Sequence, residues 1–265
     1  PALVLYEGDP GNLSDSEIRE ALPHFCRQVA AGAWDGWATP ATIRRLARPS
    51  LESPVKALLQ AHPSQPRVLM QLLKWVELGA YSDCGDVALD CALHSNDALA
   101  RMLAIRAVAS AAPALRPRLL ELTSESDPYV RQALLASLVP DILNGEALVT
   151  FLLDVVDERV ALGLSQIQDK LAVDDLDALL ARLSPVLTDP NVTESTANAF
   201  RLAVAAAIAR LRRDVPGESG LPELLLAVER LRHDHTHMNL SDEEERALSD
   251  IIGSNANLRR DLWEL

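Results

Sequence analysis

His233, Asp234, His235 and His237 form the densest group of metal-ligating side chains in the sequence. On a helix, His233 and His237 lie four apart on one face, as two zinc ligands do, while His235 points away. A metalloprotease pair would enclose a glutamate as general base, in the order H-E-x-x-H, but the interior here is Asp234-His235-Thr236. With no third ligand in the pattern, the cluster reads as the polar end of a helix running from Pro222, whose negative terminus favours histidine. No metal and no cofactor are expected, and a metal-binding helical protein built on His233 and His237 is kept as an alternative.

Thiol chemistry has equally little to work with. Cys84 and Cys91 are seven apart and share a helical face, yet a small buried cysteine is the commoner outcome of such a pattern. Cys26 follows His24 and Phe25, and neighbours in sequence point to different faces of a helix, so no nucleophile and base pair is formed. Three cysteines with no C-x-x-C spacing fit neither a disulfide framework nor a zinc ribbon, and predict a reducing, cytoplasmic setting. No catalytic residue is assigned and no enzyme is expected.

Binding chemistry is the remaining class. Trp34 and Trp37 stand in a glycine-punctuated link, Gly32 to Trp37, in a chain whose aromatic content is only 4%. Tryptophan is enriched at binding hot spots, which makes the pair the candidate partner anchor, with capping of a first apolar layer as the competing role. Arg201, Arg210, Arg212 and Arg213 are the densest basic group. They read as the solvated end of a helix, where cations complement the macrodipole. The net charge of -13 repels phosphate backbones, so nucleic acid is an unfavourable partner. The longest apolar run, Ala203 to Ala209, is far too short to cross a membrane.

The elements that must position these residues are helical. Apolar residues reach 48% and are led by Leu and Ala, which suits helices and starves strands. Ser14 with Glu17 makes a capping box before Ile18, Leu22, Phe25 and Val29, and Ser241 with Glu244 makes another before Leu248, Ile251 and Ile252. Thr39-Pro40 and Ser53-Pro54 each pair an N-cap with a proline at the first helical position and predict helices through Leu46 and Leu59. Gly253 is expected to stop the last of these. Signals of this kind predict about fourteen helices and no strand.

A repeat runs through the middle of the chain. Asp97-Ala98-Leu99-Ala100-Arg101 aligns with Asp127-Pro128-Tyr129-Val130-Arg131, thirty residues on, and both lead into Ala- and Leu-rich helices. Asp157-Glu158-Arg159-Val160 and Asp189-Pro190-Asn191-Val192 follow in similar phase, and Arg67 to Leu78 precedes them. Each Asp is placed to accept from the unpaired N–H groups of the next helix, and Pro128 or Pro190 has its missing N–H where none is needed.

The run Asp127 to Ala133 resembles the second-helix signature of HEAT repeats, over roughly residues 64 to 212. The resemblance implies an all-α solenoid of helical hairpins that binds proteins, in which Asp97, Arg101, Asp127 and Arg131 tie adjacent repeats. The Glu7-Gly8-Asp9-Pro10 segment and the stretch Tyr81 to Leu89 resemble the helical region that follows the ATPase module of bacterial STAND (NACHT-type) antiviral ATPases. That second resemblance implies target sensing within a larger protein, an expectation matched by a first residue that is Pro1 and by the lack of a G-x-x-x-x-G-K-[ST] loop.

Three regions are expected: an N-terminal helical cap at 1–63, HEAT-like repeats at 64–214 and a C-terminal helical cap at 215–265. The expected function is non-catalytic sensing or scaffolding for a protein partner, on a groove lined by helices at 97–110, 128–139 and 191–212. The alternative is a HEAT-like nucleic-acid enzyme such as a DNA glycosylase, which needs a basic groove with a catalytic carboxylate.

Overall fold

The computed structural model describes residues 12–33, 39–154, 163–164, 166–188, 194–213, 225–226, 228–229, 240–255, 258–260 and 262. Every element among them is helical: eleven α-helices and four 3-10 segments. The chain divides into two compact units, residues 1–138 and 139–265. The division falls inside the 64–214 stretch assigned to repeats, and helix packing in the first unit crosses the 63/64 limit.

The first unit holds α1 (Asp15–Ala30), α2 (Pro40–Leu46), α3 (Glu52–Ala61), α4 (Pro66–Gly79), α5 (Gly85–His94), α6 (Ala98–Ala111) and α7 (Pro128–Leu138). Before α7 the chain forms a long 3-10 segment, Pro113–Leu122, with Pro117 inside it. Proline has no N–H to give and clashes with the preceding turn, so regular α-helix is disfavoured there. Two series of contacts run through the unit. Helices α2, α4, α6 and α7 pack each against the next, and so do α1, α3, α5 and the Pro113–Leu122 segment. Members of the two series also pair, α3 with α4, α5 with α6, and Pro113–Leu122 with α7.

Apolar spacing explains the packing. Ile18, Leu22, Phe25 and Val29 of α1 are all buried, as are Val68, Leu72, Trp75 and Val76 of α4. Ala100, Ala104, Ala107 and Val108 of α6 are fully covered, and these small side chains allow the neighbouring axes to come close. Gly85 shows how close: a Cβ built on it would lie 2.4 Å from the Cβ of Ala112. Any side chain at position 85 must push that contact apart.

Helix ends follow local chemistry, with two departures from expectation. Ser14 and Glu17 cap α1 reciprocally, and Thr39 caps α2 with Pro40 at its first turn. The helix expected to open at Ser53-Pro54 instead begins at Glu52, continuing a 3-10 turn at Pro49–Leu51, so Ser53 lies inside it. Ala80 ends α4 in the left-handed region at φ 51°, and Tyr81 is thereby turned inward, its hydroxyl donating to the Arg48 carbonyl at 2.8 Å.

The second unit holds α8 (Gly145–Asp154), α9 (Val173–Thr188), α10 (Glu194–Leu211) and α11 (Asp242–Ser254). Helix α9 packs on both α8 and α10, and α10 also packs on α11. From 199 to 210 every side chain of α10 except Arg201 is buried. A helix apolar all round belongs at the centre of its unit. The capping box of Ser241 and Glu244 opens α11, but Gly253 does not stop it: the helix continues through Ser254, and a Cβ on Gly253 would meet nothing within 4 Å.

Candidate functional site

The repeated Asp and Arg residues occupy equivalent places. Asp97 accepts from the Ala100 N–H at 2.8 Å, and Asp127 accepts from the Tyr129 and Val130 N–H groups at 2.9 and 3.1 Å. Each aspartate thus satisfies orphan donors of its own helix. Arg101 donates from Nε to the Ala92 carbonyl at 3.0 Å, and Arg131 donates to the carbonyls of Thr123 and Glu125 at 3.3 and 3.1 Å. Both arginines therefore hold the end of the helix that precedes their own.

Arg101 also reaches into the next hairpin, pairing with Glu125 at 2.9 Å. The expected repeat-to-repeat tie accordingly runs through a glutamate that the motif does not include. Its carboxyl is held below the ordinary glutamate value by that hydrogen bond, while partial burial works against the shift.

Arg210 and Arg213 are not a solvated helix end, which corrects the basic-strip reading. Arg210 is 4% exposed and donates from Nε to Asp177 at 2.7 Å, from α10 to α9. Arg213 is half-buried and donates to the carbonyls of Gln168 and Leu171 at 2.9 and 3.1 Å. A guanidinium with its donors committed to carbonyls and a carboxylate is a poor phosphate contact. The expected groove also loses its third helix, since α10 is buried and cannot line a surface.

Cys26 and Cys84 are buried, and burial pushes both thiols up to about 12; Cys91 is half-buried and pushed up to about 11 for the same reason. A thiol held protonated is a weak nucleophile. Among the described residues, no group of three or more His, Cys, Asp or Glu is placed to hold a metal ion, and no helix is long and apolar enough to cross a membrane. His233 and His237 lie outside the described residues, as do Trp34 and Trp37. The repeats opened by Asp157 and Asp189 also begin outside them.

What the structure brings together, and the motif search passed over, is the outer side of α4, α6 and α7. Glu77 of α4 accepts from Arg106 of α6 at 2.6 Å, and the Glu77 carbonyl accepts from Ser110 at 2.8 Å. These two bonds fix the register of the helices. Lys74 is half-buried beside this pair; burial pushes its ammonium below the ordinary lysine value, Arg106 adds to the shift and Glu77 opposes it. The signal that would have found Glu77 and Arg106 is opposite charge at one repeat length, 29 residues apart. The same signal marks Arg48 with Asp15, 33 apart.

Comparison with protein-family models, with curated proteins and with solved structures finds no match to this chain.

Proposed function

We propose that this chain is a non-catalytic interaction module, a solenoid of HEAT-like helical hairpins that binds a protein partner along the outer side of α4, α6 and α7. One observation carries the reading: α4, α6 and α7 pack each against the next, with Glu77 of α4 bonded to Arg106 and Ser110 of α6. Stacked hairpins that bury their cores against one another leave extended surfaces of this sort. The polar groups that could do chemistry support the same reading by being otherwise engaged. Asp97 and Asp127 cap helices, Arg101, Arg131, Arg210 and Arg213 hold carbonyls or carboxylates, and the thiols are held protonated.

The resemblance of residues 81–89 to the helical region of STAND-type ATPases extends the proposal to target sensing within a larger assembly. Its test is the full reading frame, in which a phosphate-binding loop upstream is expected and a frame without one removes the extension.

The module reading is tested by placing a photoreactive benzoylphenylalanine at Met102, on the proposed face, and at Arg118, on the Pro113–Leu122 segment. A protein that crosslinks from position 102 and not from 118, and that binds the purified chain saturably, is the expected result. Crosslinks from both positions alike, or to nucleic acid alone, would overturn it.

A further inference from the structure

We draw no further inference here: the strongest candidate, the exposed apolar patch of Pro117 and Leu120 on the Pro113–Leu122 segment, carries nothing, because nothing in the structure shows what covers it.

Discussion

Arg210 Nε donates to Asp177 Oδ1 at 2.7 Å, joining α10 to α9 inside the second unit, with 4% of the arginine side chain and 32% of the aspartate exposed. Burying a guanidinium is tolerable only because the carboxylate and further bonds compensate it. Arg210→Ala removes the donor, opens a cavity in a helix that is buried almost throughout from 199 to 210 and strands Asp177. A loss of about 2 to 4 kcal/mol is expected, reduced from the fully buried case because Asp177 still reaches water. Arg210→Met, which keeps the volume, should cost less. Urea unfolding of the two variants checks the ranking, and equal stability of Arg210→Ala and the parent chain would refute the structural role.

That pair also shows where reading the sequence stops. Apolar spacing and capping residues were enough for α1, α2, α4, α6, α7 and α11, because those signals act within a few residues of one another. The partner of Arg210 lies 33 residues away, so four neighbouring arginines looked like a solvated cluster. Glu77 with Arg106, and Arg101 with Glu125, escaped notice for the same reason. Gly253 misled differently: a glycine near a helix end stops the helix only where the backbone turns left-handed, and here the helix simply continues through it. Nothing local distinguishes the two cases.

Acid should weaken the tie between Arg101 and Glu125. The folded carboxyl lies below its unfolded value of 4.5, chiefly through the hydrogen bond from Arg101. A lowered folded value contributes stability that is complete above the unfolded value and disappears as pH falls through the folded one. Glu125→Gln should therefore melt below the parent chain near pH 7, with the gap narrowing as pH falls below 4.5. A gap that persists unchanged in acid would show that the charge of Glu125 is not what matters.

Thiol reactivity separates a structural cysteine from a nucleophile. Cys26 and Cys84 are buried with thiols pushed up to about 12, so neither should react with a disulfide reagent near pH 8 while the chain is folded. Cys91, half-buried at about 11, should react first and slowly. All three should react promptly in denaturant. A single thiol titrating within seconds in the native protein would return Cys91, or one of the others, to consideration as a reactive group.

Arg131 gives the sharpest contrast between motif and surface arginines. Its side chain is 0% exposed, the second largest of the fully buried side chains after Trp75, and it donates to the carbonyls of Thr123 and Glu125 at 3.3 and 3.1 Å. Those carbonyls follow the Pro113–Leu122 segment, and the buried guanidinium supplies donors to them. Arg131→Ala removes those bonds and leaves a cavity beneath α7, and a cost of about 3 to 5 kcal/mol is expected. Arg213 does not serve as a neutral control, because it holds the Gln168 and Leu171 carbonyls. Arg118 is: its side chain is 57% exposed and pairs only three residues away with Glu121, a surface contact of little net value. Arg118→Ala should leave the melting temperature almost unmoved while Arg131→Ala lowers it by several degrees. Calorimetry of the two variants decides, and a melting point for Arg131→Ala as high as that of Arg118→Ala would mean that the repeated arginine is dispensable to the fold.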